Sequence, residues 1–137
     1  MRNLIVIFST LLFSTQALSD NTHTQEARQS LKNYGLGHCI LKQFDEKTAI
    51  EEDISLSVSA YSFMGKGMHT VLQNEETLET LHDPYKETRE YIYNAYTKTS
   101  ARSKHSDKKI VFYACLKVFN SVQFDDFITT QDKYISE

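Results

Sequence analysis

The two cysteines, Cys39 and Cys115, constrain the fold more than any other feature of this sequence, because they stand in opposite halves of the chain. A disulfide between them would close most of the chain into one loop. The chain entropy removed from the unfolded state is worth about 4 kcal/mol in the simplest model. Such a bond forms in an oxidising compartment and is rare in a reducing one. The role of the cysteines therefore depends on where the protein is found.

Residues 1–19 have the pattern of a removable export signal. Arg2 and the amino terminus are positive, residues 4–13 are mainly apolar, and Ala17 and Ser19 are small residues at a cleavage site. An apolar run of about ten residues is too short to cross a bilayer, which takes about twenty. We therefore expect residues 1–19 to be removed and residues 20–137 to form a single exported domain, without membrane contact.

In an oxidising compartment the two cysteines are expected to pair, and the competing interpretation is a thiol enzyme. His38 precedes Cys39 directly, but adjacent residues point about 100° apart on a helix and do not form a nucleophile–base pair. Cys115 lies in the apolar stretch 111–116, where burial raises the pKa of a thiol and makes it inert. The sequence therefore favours a disulfide over a catalytic cysteine.

Apolar residues recur at spacings of three and four, which predicts an all-α protein. The first helix covers residues 25–44, where Gly35 and Gly37 indicate a close contact with another backbone or a kink. Thr48 and Glu51 form a capping box that starts a second helix, and glycines within residues 65–67 end it. Its apolar face is formed by Ile50, Ile54, Val58 and Tyr61.

The second half of the chain continues the helical pattern. Residues 68–81 predict a short helix, and Asp83 caps a stronger one that begins at Pro84. Residues 109–120 are the most apolar stretch and predict the central buried helix, after which Asn120 or Ser121 caps a final helix. The fold class predicted is a compact all-α bundle of five to six helices with one disulfide between the first and a late helix.

Three tyrosines are concentrated in the helix that follows Pro84. They are expected to serve mainly in packing, and their burial at a contact between subunits is a hypothesis: Tyr91, Tyr93 and Tyr96.

Residues 99–109 form a surface loop that is rich in serine and basic residues. A solvated connection is one interpretation, and a binding loop is the other, because a loop this long in a compact domain calls for a reason. Its positive charge stands out in a chain whose formal net charge is −3. That net charge argues against a general nucleic-acid binder.

No motif in the sequence indicates catalysis or a cofactor. The five histidines are scattered, and no Cys/His pair has the spacing of zinc ligands. Signatures of metalloproteases, α/β-hydrolases, phosphate loops and calcium loops are missing from the sequence. We therefore expect a binding protein that has no metal or cofactor and is not an enzyme.

Three segments together resemble the type VI secretion amidase immunity proteins that neutralise the fourth class of amidase effectors, a group that includes resistance-associated proteins of enterobacteria. Residues 34–40 (YGLGHCI) are similar to the family's aromatic-small-Leu-x-x-Cys segment. Residues 53–61 (DISLSVSAY) are similar to its Ser/Ala-rich second helix. Residues 114–121 (ACLKVFNS), with Phe124 and Asp125 after them, are similar to its Cys-Leu-x-x-Tyr-x-Ser-x-x-Leu segment, with Phe119 in place of the tyrosine.

The resemblance implies a periplasmic inhibitor that binds a secreted peptidoglycan amidase with a papain-like cysteine peptidase fold. It also implies a homodimer, which forms a heterotetramer with two effectors. In such proteins a loop before the second cysteine helix enters the amidase cleft. The corresponding effector-binding residues here are Ser100, Arg102, Ser103, Lys104, His105, Ser106 and Lys108.

These loop residues match no family motif one by one. The alternative function is another small periplasmic binding module, such as a chaperone or a lysozyme inhibitor.

Overall fold

A computed structural model describes residues 14–63 and 67–137, with side chains from residue 21 onwards. Within these residues the protein is an all-α bundle with one small two-stranded sheet, which confirms the predicted fold class. The elements are α1 (Ser14–Leu41), α2 (Ala49–Ser62), β1 (Leu72–Gln73), β2 (Thr80–His82), α3 (Pro84–Lys98), α4 (Val111–Phe119), α5 (Val122–Thr129) and a 3₁₀ turn (Asp132–Tyr134). The predicted export signal lies outside the described residues as far as residue 13, and it stays a prediction.

Helix α1 is the centre of the bundle and packs against all four other helices. It runs unbroken through Gly35 and Gly37, so the glycines do not mark a kink. A β-carbon at Gly35 would lie 3.0 Å from Thr88 Cγ2 and 3.1 Å from Phe124 Cζ. The glycines therefore allow side chains of neighbouring helices, rather than another backbone, to approach α1.

The prediction that residues 109–120 form the central buried helix was wrong. Helix α4 is short and lies on the surface of the bundle, where Ala114, Cys115 and Val118 are buried. Phe112 and Tyr113, on its other side, are 60% and 53% exposed. Helix α4 carries apolar residues on all of its sides, but only one side packs against α1. Its apolar sequence therefore predicted more burial than the structure shows.

Residues 68–81 form no helix, contrary to the prediction. They contain the antiparallel hairpin of β1 and β2, in which Leu72 pairs with His82. The Asn74 side chain accepts hydrogen bonds from the backbone N–H groups of Glu76 and Thr77, both at 2.9 Å. Such a bond holds the chain in a turn and competes with a helix.

The predicted helix starts are confirmed at three caps. Thr48 Oγ1 accepts from the Glu51 N–H at 3.1 Å, and the Asp83 carboxylate accepts from two N–H groups at the start of α3. Ser121 is the cap of α5. Helix α2 ends at Ser62, and residues 64–66, which include part of the predicted glycine stop, lie outside the described residues.

The predicted apolar face of α2 is narrower than expected. Ile54 and Tyr61 pack against the core and Val58 is buried, whereas Ile50 is 72% exposed. Ile50 lies in the first turn of the helix and lines an open groove beside the end of α1, so most of its side chain stays exposed.

The predicted disulfide is confirmed: Cys39 of α1 and Cys115 of α4 are bonded, with their Cα atoms 5.8 Å apart. Both residues are fully buried. The bond therefore ties α4, and the segment that leads into it, to the central helix.

The three tyrosines of α3 contact other residues of the same chain. The Tyr91 ring stacks on Phe127, with ring centroids 4.3 Å apart, and the Tyr93 hydroxyl lies 3.5 Å from His38 Nδ1. Tyr96 is buried. Their proposed place at a subunit contact stays a hypothesis.

In the part of the chain that the structure describes, no helix is both long and apolar enough to span a membrane.

Candidate functional site

The segment between α3 and α4 leaves the bundle as a narrow hairpin. The Ile110 N–H donates to the Ala101 carbonyl at 2.8 Å, and the Ser103 N–H donates to the Lys108 carbonyl at 3.1 Å. Between these bonds, Arg102 and Lys109 face each other in an isolated antiparallel bridge. The sequence predicted a loop here, and the structure shows that its two arms are paired.

All seven predicted effector-binding residues lie on this one protrusion, and apart from Ser103 each of them is exposed. Serine side chains shape the tip: Ser103 Oγ accepts from the His105 N–H at 3.1 Å, and Ser106 Oγ accepts from the Lys108 N–H at 3.4 Å. Among the described residues, no acidic side chain forms an ion pair with Arg102, Lys104 or Lys108. The basic groups of the tip therefore face solvent and are available to a partner.

Two lysines hold the base of the hairpin. Lys109 Nζ donates to the Tyr96 carbonyl at 2.5 Å and lies 3.9 Å from the centroid of the Tyr96 ring. Burial lowers the pKa of Lys109 from its ordinary value. Lys117, from α4, donates to the Ser100 carbonyl at 3.1 Å. The sequence carried no signal for these anchors, and Lys109 was predicted only as one more basic residue of the loop.

Exposed apolar side chains lie beside the hairpin and at the C-terminal end of α1. Ile110, Phe112 and Tyr113 follow the returning arm directly. A separate open groove of about 460 Å³ lies between the end of α1 and the start of α2, where Phe44 and Ile50 are among its lining residues. Each surface offers contact area rather than reactive groups.

The described residues offer neither a free thiol nor a cluster of metal-ligating side chains. Both cysteine sulfurs are bonded to each other, so neither can act as a nucleophile, and the thiol-enzyme interpretation loses its reactive group. The described histidines, cysteines and acidic residues form no group that could hold a metal ion.

His69 is buried in the bundle and His38 is half-buried. Desolvation, with a smaller contribution from the Arg89 charge, lowers the pKa of His38 to about 4. Desolvation likewise lowers the pKa of His69 to about 4, against an opposing effect of Asp132. Both side chains are therefore neutral at pH 7.

The described residues form a disulfide-linked helical bundle with an exposed basic hairpin whose two arms are paired. Residues 29–128 match the Tai4 family, described as type VI secretion system (T6SS), amidase immunity protein. This match covers both cysteines and the whole hairpin. The chain belongs to this family of immunity proteins, and membership implies a cognate type VI amidase effector as its partner. Neither a curated protein nor a solved structure matches the chain.

Proposed function

We propose that this protein is a periplasmic immunity protein that binds a type VI secreted peptidoglycan amidase and occludes its active-site cleft. It thereby protects the producing cell from its own effector or from one delivered by a sister cell. The observation that carries the proposal is the hairpin of residues 100–108, whose base is held by Lys109 and Lys117. Its basic side chains form no ion pair with any other described residue.

The shape of the hairpin supports a role as a plug. Binding orders flexible segments at an entropic cost, and a segment that is already ordered avoids much of it. Here the Ala101–Ile110 and Ser103–Lys108 backbone bonds hold the two arms together, and the buried disulfide ties α4 to the central helix. A narrow protrusion of this kind fits a cleft between the two halves of an enzyme and needs no catalytic group of its own.

The charge of the hairpin supports an acidic complement on the amidase. The chain has a formal net charge of −3, so the basic tip is a local reversal of sign. Complementary charge raises association rates and orients the encounter. We expect the rim of the amidase cleft to carry carboxylates.

The proposed location and assembly follow from the export pattern and the family resemblance. Residues 1–19 supply a signal for export, and the confirmed disulfide suits an oxidising compartment. The proposed assembly is a homodimer that binds two amidase molecules in a heterotetramer. Light scattering on the purified protein, alone and with the amidase, tests both masses directly.

The decisive experiment compares two triple variants in cells that express the cognate amidase in the periplasm. The first replaces Arg102, Lys104 and Lys108 by alanine. The second is a matched control that replaces three exposed lysines away from the hairpin by alanine: Lys42, Lys47 and Lys86. Lysis is scored in cells, and inhibition constants are measured with the purified proteins.

We expect the hairpin variant to inhibit at least tenfold more weakly, and the control to inhibit like the wild type. Equal inhibition by both variants would place the inhibitory surface elsewhere. A wild-type protein that neither binds nor inhibits the amidase would overturn the function and favour another periplasmic binding module.

A further inference from the structure

We infer that Lys109 is the positioning residue of the hairpin, because its ammonium group ties the returning arm to the last turns of α3 and so sets the direction of the tip. This inference rests on the proposed function for its effect on amidase binding. Its structural part concerns the isolated protein and can be measured without the amidase.

The first contact of Lys109 is with the end of helix α3. The Tyr96 carbonyl belongs to the last turn, where carbonyl groups lack partners within the helix. It accepts from the Thr99 N–H at 3.1 Å and from Lys109 Nζ at 2.5 Å. A cation at a helix C-terminus is favourable because the carbonyl ends carry partial negative charge. This one hydrogen bond therefore satisfies a carbonyl group at the end of α3 and anchors the hairpin to that helix.

The second contact of Lys109 is with the ring of the same tyrosine. Nζ lies 3.9 Å from the centroid of the Tyr96 ring, and Tyr96 is only 8% exposed. A cation over an aromatic face gains more when it is partly shielded from water, as this half-buried ammonium is. Carbonyl and ring together restrict the lysine to one position, which a single surface hydrogen bond would not do.

Because Lys109 lies where the two arms of the hairpin pair, fixing this lysine also restricts both arms. Lys109 faces Arg102 in the bridge between the arms. The next residue, Ile110, donates its N–H to the carbonyl of Ala101, which is 6% exposed. The lysine anchor, the bridge and this hydrogen bond therefore lie at one level of the stem. Releasing the anchor would loosen the pairing that holds the tip out from the bundle.

The basic residues of the loop consequently have two different roles. Arg102, Lys104 and Lys108 are exposed and can meet a partner, whereas the Lys109 ammonium is already engaged within the chain. Lys117 adds a second tie, to the Ser100 carbonyl, but this bond is exposed to water and therefore weaker. Losing Lys109 should reduce binding through lost order in the hairpin rather than through lost contact.

Amide hydrogen exchange tests the anchor in the isolated protein. The readout is the exchange rate of the Ser103 and Ile110 N–H groups, which bond across the stem. Three variants are compared with the wild type: Lys109→Met, Lys109→Arg and, as a matched control at the exposed tip, Lys104→Met. We expect exchange at both amides to rise at least tenfold in Lys109→Met and to stay unchanged in Lys104→Met.

The conservative variant separates positioning from general stability. Arginine keeps a cation that can reach the carbonyl and lie over the ring, so Lys109→Arg should restore most of the protection. The unfolding midpoint of each variant shows whether the bundle itself has been weakened. Unchanged exchange in Lys109→Met, in a folded protein, would overturn the inference. So would protection that is lost equally in the amides of α1.

Binding to the amidase then tests the consequence. We expect Lys109→Met to bind at least fivefold more weakly and Lys109→Arg to bind within twofold of the wild type. Faster exchange combined with undiminished binding would refute the positioning role while leaving the anchor in place. If the wild-type protein does not bind the amidase at all, the proposed function fails, and the exchange rates alone decide whether Lys109 orders the hairpin.

Discussion

Val58 of α2 occupies the space that a side chain at Gly37 of α1 would need: a β-carbon built there would lie 2.3 Å from Val58 Cγ2. Two carbon atoms that are not bonded to each other cannot lie this close, so the two helices can pack together here only because position 37 lacks a side chain. The contact explains a glycine in the middle of a helix, where glycine costs about 1 kcal/mol relative to alanine.

The Gly37→Ala variant should therefore be destabilised, although alanine is the better helix former. Overpacking a close contact costs about 1–3 kcal/mol, which exceeds the gain in helix propensity. Denaturant unfolding measures the change. The double variant Gly37→Ala/Val58→Ala makes room for the new methyl group, so it should lose less stability than the sum of the two single variants. Strict additivity would show that the two residues do not compete for the same space.

Removal of the disulfide should destabilise the bundle strongly. Cys39 and Cys115 are fully buried and separated by 76 residues in sequence. Loss of such a bond from a small domain costs about 2–5 kcal/mol. We expect the Cys39→Ala/Cys115→Ala variant to unfold at lower denaturant concentration, and reductant to have little further effect on it. A midpoint equal to that of the oxidised wild type would contradict this prediction.

Stability should fall as the pH falls from about 6.5 to about 4. Burial lowers the pKa of His38 and His69 to about 4 in the folded protein, whereas an unfolded histidine titrates near 6.5. The unfolded state therefore binds more protons throughout this window, so acid favours unfolding. The loss grows towards the lower end of the window, and for His69, the more buried of the two, it is at most about 3 kcal/mol.

His69 is the better test of the two, because neither of its ring nitrogens has a hydrogen-bond partner among the described residues. It is 6% exposed and packs edge-on to Tyr85. The His69→Phe variant should lose part of the difference in stability between pH 7 and pH 5. The control His105→Gln changes an exposed residue of the hairpin and should leave that difference intact. Identical pH profiles for the wild type and His69→Phe would refute the assignment.

Leu78 should be replaceable with a gain in stability. Its φ angle is 57°, in the left-handed region, where a branched apolar residue is strained, and its side chain is 73% exposed. Leu78→Asn keeps the turn, and we expect it to stabilise the protein by about 0.5–1 kcal/mol. Leu81→Asn, at an exposed strand position, is the control and should give no gain. A destabilised Leu78→Asn variant would mean that the leucine makes a contact worth more than the strain.

The sequence predicted the helices well where local chemistry decides their boundaries. Asp83 and Pro84 started a helix because a carboxylate accepts from the first N–H groups and proline needs no partner there. Asn74 carried a signal of its own, since its side chain favours turns. The weak apolar periodicity of residues 68–81 predicted a helix against this turn signal, and the structure shows the β1–β2 hairpin instead.

The sequence predicted residues 99–109 as a surface loop but not the pairing of its two arms, and the role of this loop as the effector-binding site stays a prediction. Composition marked residues 99–109 as an unusually long basic loop, and the resemblance gave that loop a partner. The anchoring of Lys109 on Tyr96 could not be predicted, because it joins a loop to the end of a helix through a backbone carbonyl, which has no sequence signature.

The sequence by itself determined the helical class, the caps, the pairing of the two cysteines and the place of the basic loop, because each depends on residues that are close in the chain or on chemistry that only those residues possess. Tertiary structure alone decided that α1 rather than α4 is the central helix and that Gly37 leaves space for Val58. It also decided that the returning arm of the hairpin is tied to α3. The reason is physical, since burial and close packing depend on which faces of the helices meet in space. An apolar stretch such as α4 does not indicate which of its faces will be covered.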